Sequence, residues 1–540
     1  MPLIKINERL CIQSDTSDDT LIHELFPSDL ADLLLLLNDK LEKRREQLLG
    51  TRRRRQSHFD QGKVPSYPDQ KSDIVQDQTW SIGDIPSDLM CQRVGVTLPA
   101  KDTTEIAFQL SGDSGVQADV IIIDFEATLK PTLKNIINGY NNYKRIFQSQ
   151  LPYVTSSGEK TNLDFDMMST VVSRVRGLHL FDRNVLIDNT PISAGLMDIV
   201  VCFYHSYKEL IKREGTVAFY IPKVEDHLEV SWWEDILSGI EQEYDFKLGT
   251  LKSLYLIETL PAAFQTEEIL FAAKDHVVAL NAGRWDRIFS DIKTLKCHDN
   301  RVSPDWTSVT MGKYWMDNFA RRTIKICHAR GALAIGAPAA AIPDSNDLIR
   351  KVQVQRVYED KRNEFSIGHD GCWVSDPYFI PIAYKAFRGE NQLDKKLDYF
   401  NKCPDLLMDG KGPRTISGLR NSIRVCISYL YNWIQGDAYI ALDGKMEDLS
   451  TLEISRAQIW QWLYHHVLLD DGIYVTKELV KNICIEDKEK IMSEFLESTT
   501  DKSLDLNKIK GDFDQSLDTS LRILLDNDLR DFMYSYEGFF

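Results

Sequence analysis

SLYLIETLPAAFQTEEILFAAKDHVVALNAGRWDRIF, from Ser253 to Phe289, reads as a strand, a helix and a second strand in immediate succession. The first run, SLYLI, shows no polar alternation, so both faces of that strand are expected to be buried. AAFQTEEILFAAKDHV carries apolar residues at helical spacing. A strand, a covering helix and a further strand form the repeating unit of a parallel sheet. Moving outward, the alternation persists. Upstream lie VGVTLPA, TEIAFQLSGDSG, ADVIIIDFE, LKNIINGYNNYKRIF, VVSRVRGLHL, GLMDIVVCFYHSYKEL and VAFYIPKVE, and downstream lie WMDNFARRTIKICHARG and ALAIGAPAA. About eight such units fit between residues 96 and 395, which predicts an α/β TIM barrel with its working residues where strands end. A doubly wound open sheet is the alternative. No GxGxxG opens a strand–helix unit and no GxxxxGK[ST] occurs, while SSGEKTN (156–162) lacks P-loop spacing.

The flanks differ from this centre. Residues 22–56 predict one or two helices, and 57–95 are rich in Pro, Ser and Asp and predict an extended arm. After about 395 the chain turns helical to its end, with ISGLRNSIRVCISYLYNWIQG and TLEISRAQIWQWLYHHVLL among its segments. The expected division is 1–95, 96–395 and 396–540.

With 540 residues, 43% hydrophobic and 27% charged, the composition is that of a globular protein larger than one core. A net charge of -17 repels nucleic acid and anionic membrane at long range. The single basic cluster, LEKRREQLLGTRRRRQ (41–56), reads as a solvated helix face. Nine scattered cysteines without CxxC fit free thiols in a reducing compartment. No apolar stretch reaches membrane-spanning length, no signal-type core opens the chain, and the terminal YEGFF is not a peroxisomal address, so the cytoplasm is expected. Oligomeric state is left open, and the sequence is compatible with a monomer.

Glu258 closes the SLYLI run, and Asp286 follows the Asn-Ala-Gly turn 28 residues later. Hard carboxylate oxygens from successive strand ends suit a magnesium ion, which often takes only one or two protein carboxylates. Such an ion suits a small 2-oxo or aldehyde acid, whose carbonyl it would polarise. Two strand-end acids facing solvent are the plain alternative, weakened by Gly283, Arg284 and Trp285 beside Asp286. Arg176, in SRVRGLHL, offers a five-donor fork for a developing oxyanion, or a structural salt bridge. His179 reads as a core histidine or an orienting group. Asp124 and Glu126, in IIIDFEA, are candidates for a supporting layer around the metal or around Arg176, or are plain strand-end caps. Asp448, in KMEDLSTLEISRAQIWQW, sits where a helix starts. It is either a cap or a general base donated by the helical segment.

Taken together, KDHVVALNAGRWDRIF, IIIDFEATLKPT, RVRGLHL, IPKVEDHLE, LIETLPAAFQTEEIL, HARGALAIG, GHDGCWVSDP and EDLSTLEISRAQIWQW resemble the malate synthase family in its shorter form, over most of the chain. The resemblance implies a TIM barrel with an N-terminal helical clasp and a C-terminal helical plug. It implies magnesium-dependent condensation of acetyl-CoA with glyoxylate and thioester hydrolysis to malate and CoA, the chemistry of the glyoxylate bypass. It assigns Glu258 and Asp286 to the metal, Arg176 to the enolate and glyoxylate, and Asp448 to proton abstraction. It assigns Arg284, Trp285 and Asp286 to the glyoxylate carboxylate. The chain departs from the family pattern at Ala127, Leu133, Leu178, Val230, Ser231, Ala337, Pro338, Cys372, Ser375 and Asp376. These departures keep open a relative that condenses another 2-oxo acid, or another acyl thioester on CoA or a carrier protein. A lyase, a thioesterase or a non-catalytic scaffold is more remote.

Overall fold

A computed structural model describes residues 2–14, 19–113, 115–164, 168–498, 505–536 and 539. Of the terminal YEGFF, three residues lie outside this set. Eight parallel strands form a closed barrel: β1 (Val94–Pro99), β2 (Val120–Asp124), β3 (Thr170–Arg174), β4 (Ala218–Ile221), β5 (Lys252–Ile257), β6 (Val277–Ala282), β7 (Leu333–Ala339) and β8 (Gly371–Val374). They follow one another around the barrel in chain order, and β8 pairs with β1. Closure rules out the open doubly wound sheet. The run SLYLI is β5, buried at every position. Inside the barrel, Ile122, Val172, Tyr220, Leu254, Leu256, Leu333 and Trp373 pack in one cluster. The i, i+2 spacing of Leu254 and Leu256 is the strand period that turns alternate side chains inward.

The chain divides into two compact units. The first holds residues 1–54, 66–283 and 319–404, and so contains the barrel. The long helix α1 (Ser28–Asp60) begins in it. The basic cluster on α1 is not uniformly solvated. Arg53 and Arg54 are exposed, whereas Arg45 and Arg52 are buried. Arg45 Nη1 donates to the Leu178 carbonyl at 2.6 Å. Arg52 donates to Glu229 and, through Nη2, to the Lys223 carbonyl at 2.8 Å. Buried guanidinium groups need such partners, which turns half of the cluster into a docking face. Glu229 lies on α3 (His227–Glu243), which follows α2 (Ala194–Lys212) in sequence. The expected arm of residues 57–95 is shorter than predicted: α1 runs to Asp60 and β1 starts at Val94, and between them lie two one-turn helices, Asp73–Gln76 and Ser87–Met90.

The second unit holds residues 55–65, 284–318 and 405–540. It contains α4 (Trp285–Thr294), α5 (Ile416–Gln435), a hairpin of β9 (Tyr439–Leu442) and β10 (Lys445–Asp448), α6 (Leu449–Tyr464), α7 (Lys477–Ser498) and α8 (Leu506–Leu524). Ile288, Phe289 and Ile292 of α4 share a core with Ile454, Ala457 and Trp460 of α6. No helix among the described residues is long and apolar enough to cross a membrane.

Candidate active site

At the C-terminal ends of β2, β3, β4 and β5 the barrel carries a continuous run of buried charged groups. Asp124 ends β2 and is fully buried, and its carboxylate accepts from the backbone N–H groups of Glu126, Ala127 and Thr128. That turn brings Glu126 against Arg174 and Lys223. Arg174 is the last residue of β3, in register with Asp124. Its guanidinium lies 2.8 Å from Glu126 Oε2 and 3.6 Å from Asp124 Oδ2. Lys223, just beyond β4, donates from Nζ to Glu126 Oε1 at 2.6 Å. Its backbone N–H donates to Glu258 Oε1 at 2.8 Å. Lys223 has φ 55°, left-handed backbone that a non-glycine residue rarely adopts. The bond from Lys223 N–H to Glu258 and the bond into its carbonyl from Arg52 hold it there.

Arg176 is placed differently from the sequence expectation. β3 ends at Arg174, and Arg176 lies two residues past it. Arg176 Nε and Nη2 donate to Asp198, Nη1 donates to Asp182 at 2.8 Å, and Nη2 also meets the Tyr140 hydroxyl. Burial opposes the charge, but Asp198, Tyr140 and Asp182 outweigh it and hold the guanidinium above its ordinary value. Each of its nitrogens is thus engaged in an internal ion cluster. Of the roles expected of Asp124 and Glu126, Asp124 caps its own strand end, and both carboxylates lie against Arg174 rather than Arg176. His179 is half-buried beside Gly177.

Glu258 lies immediately after β5, on the strand next to β6 with Ile257 opposite Ala282. Its side chain is buried, and a Cβ built on Gly283 would stand 2.7 Å from Glu258 Cβ and 3.1 Å from Oε2. Only glycine at 283 leaves the space beside this carboxylate open. Hard oxygens and that cradle fit a magnesium ion at Glu258.

In the second unit, Asp286 sits on the first turn of α4, at its second residue, so it belongs to a helix start and not to a strand end. It is buried, and its Oδ2 accepts from Ser450 Oγ at 2.9 Å. Asp448 is the N-cap of α6, and its Oδ1 accepts from Ser450 N–H at 2.9 Å. The capping expectation for Asp448 therefore holds, and the cap leads to Asp286 through one serine. Glu447, beside Asp448 on β10, points inward, and burial pushes its carboxyl up to about 7. Arg284 occupies the N-cap position of α4, with Nε buried and without a protein hydrogen-bond partner among the described residues. Its guanidinium carbon is 5.7 Å from the Trp285 ring centroid. A helix N-terminus with an adjacent arginine suits an anion such as a carboxylate. Three residues escaped the sequence reading. Arg174 shares the β-strand parity of Arg176, Lys223 follows an apolar run as Glu258 does, and Ser450 stands two residues after a cap.

A closed eight-stranded barrel with buried carboxylates and cations gathered at the strands' C-terminal ends defines an α/β-barrel enzyme scaffold. Residues 170–402 match the malate synthase TIM barrel domain, and residues 413–535 match the malate synthase C-terminal domain. The chain is 34% identical to malate synthase A of Escherichia coli (strain K12) over 517 residues, 94% of each chain. It is 35% identical to malate synthase of Myxococcus xanthus, covering 87% of each. With malate synthase of Arabidopsis thaliana it shares 35% identity, over 82% of this chain and 80% of that one. The chain belongs to the malate synthase family.

Proposed function

We propose that this chain condenses acetyl-CoA with glyoxylate, with magnesium, and hydrolyses the resulting thioester to give malate and CoA. The observation that carries this is the buried run Glu126–Arg174–Lys223–Glu258 across four consecutive strand ends, in a chain of this family.

Glu258 and Asp286 would hold the metal, which when bound polarises the aldehyde carbonyl of glyoxylate. Asp448 removes a proton from the acetyl methyl group. Arg174, its guanidinium held by Glu126, faces the enolate oxygen as charge develops there. This gives the oxyanion role to Arg174 in place of Arg176, whose nitrogens are committed to Asp198, Asp182 and Tyr140. Arg284 and the N-terminus of α4 receive the glyoxylate carboxylate. The enolate carbon then attacks the aldehyde carbon, and water cleaves the thioester, releasing the thiol of CoA.

The test is an incubation with acetyl-CoA, glyoxylate and magnesium, following free thiol and malate together. Equal release of both, dependent on glyoxylate, is the expected result. Thiol release without glyoxylate would show a thioesterase. Turnover only with other 2-oxo acids or acyl thioesters would replace the proposed substrates. Asp448→Asn should abolish condensation while glyoxylate still binds in the presence of magnesium, and full activity in that variant would remove Asp448 as the base.

A further inference from the structure

We infer that Ser450 is a positioning residue that fixes Asp286 and Asp448 relative to each other. Its two polar groups are divided between them. The backbone N–H donates to Asp448 Oδ1 at 2.9 Å, and the hydroxyl donates to Asp286 Oδ2 at 2.9 Å. Ser450 is 5% exposed and Asp286 6%, so the hydroxyl bond is made away from bulk water. A hydrogen bond to a charged acceptor is stronger and shorter-ranged in geometry than one between neutral groups, particularly where water does not compete.

Further contacts tie down the scaffold around this bond. Ser450 is the second residue of α6, and Thr451 Oγ1 donates to the Asp448 carbonyl at 3.0 Å, closing the same first turn. α4 and α6 are packed through Ile288, Phe289 and Ile292 against Ile454, Ala457 and Trp460. The helices set the distance between Asp286 and the cap, and the serine side chain spans it. Alanine would keep the backbone bond to Asp448 and the helix, but would leave Asp286 Oδ2 without the hydroxyl. The carboxylate would then lose one constraint on its rotamer, and the turn carrying Asp448 would lose its tie to α4. Outer partners of metal-binding carboxylates act in this way, orienting an oxygen they do not replace.

The metal role of Asp286 and the base role of Asp448 belong to the proposed condensation, and the experiment separates the two questions. Free Mn²⁺ is titrated into the full chain without substrates and followed by its EPR signal. Steady-state rates are measured with acetyl-CoA and with its trideuteroacetyl form. For Ser450→Ala the expected results are a loss of about 10-fold or more in Mn²⁺ affinity, and a larger primary isotope effect on kcat, because the proton-abstraction step is the one slowed. Ser450→Thr, which restores a hydroxyl, should recover Mn²⁺ affinity. Thr451→Val removes a bond to the same turn without touching Asp286, and should leave Mn²⁺ affinity unchanged. Wild-type Mn²⁺ affinity and isotope effect in Ser450→Ala would overturn the positioning role while leaving the condensation standing. A loss of Mn²⁺ affinity equal in Ser450→Ala and Thr451→Val would reduce Ser450 to a helix cap. A wild-type chain that neither binds Mn²⁺ nor turns over would overturn the condensation, and this role with it.

Discussion

Lys223 donates from its ammonium to Glu126 Oε1 at 2.6 Å, with side-chain exposures of 4% and 0%. Glu126 thereby lies between two cations, since Arg174 meets its other oxygen. With Asp124 3.6 Å from Arg174, two buried carboxylates face two cations, and removing any one member leaves charge unmatched where water cannot reach.

The first prediction follows from this triad. Lys223→Met should lower stability to urea by about 3–5 kcal/mol, the usual loss when one partner of a buried pair is deleted. Lys223→Met combined with Glu126→Gln should recover part of it, with a coupling of roughly 1–3 kcal/mol in the double-mutant cycle. Losses that simply add would show that the contact contributes nothing specific.

The two arginines of SRVRG should separate cleanly. Arg174→Gln removes the donor proposed for the enolate, and kcat should fall by about 100-fold or more. Arg176→Gln strips the partner from Asp198 and Asp182, which are buried together with it. That variant should lose about 3–5 kcal/mol of stability. If Arg176→Gln instead folds as the parent does and fails only in kcat, the roles given to the two residues are reversed.

That pair also shows what a sequence discloses and what it does not. The barrel was legible because VIIID and SLYLI lack alternation, which only a strand buried on both faces tolerates. Glu258 was legible because it is the first charge after such a run. Arg174 and Arg176 were not separable, since both are two-apart positions in one extended segment. What separates them is Asp198, 22 residues further on, on α2, together with the residue at which β3 stops pairing. Asp286 was found, but its place on α4 was not, because Asn-Ala-Gly reads as a turn while Asn281 and Ala282 still pair in β6. Ser450 was invisible for another reason. A serine two residues after an Asp cap is ordinary helix-start chemistry, and its partner Asp286 is 164 residues away.

The third prediction concerns alkaline pH. His276 is buried between Glu234 and Glu241, with Nδ1 2.6 Å from one carboxylate and Nε2 3.0 Å from the other. Burial pushes the imidazolium down, but bonds to Glu234 and Glu241 and their charges outweigh it, raising the group to about 9. A raised folded value means the protonated form stabilises the fold. The contribution is complete below the ordinary value near 6.5 and disappears as pH rises through about 9. Its size is on the order of 3 kcal/mol. His276→Gln should therefore be markedly less stable than the parent at pH 6, and the gap should close by pH 10. Parallel stability curves for the two chains from pH 6 to 10 would show that His276 does not titrate in this window.

Glu447 gives the opposite case. Its carboxyl is held up at about 7, chiefly by burial, with Asp448 and Asp443 adding to the effect and Thr451 and Lys445 opposing it. A carboxyl whose folded value is raised resists ionisation in the fold. Stability is then undiminished below its ordinary value of 4.5 and falls as pH climbs toward about 7, after which the cost is constant. Glutamine has the shape of the protonated acid and cannot ionise, and it can still bond to Thr451. Glu447→Gln should match the parent at pH 4 and exceed it at pH 8 by a few kcal/mol in urea denaturation. Equal stability of the two chains at pH 8 would mean that Glu447 is ionised and paired in the fold.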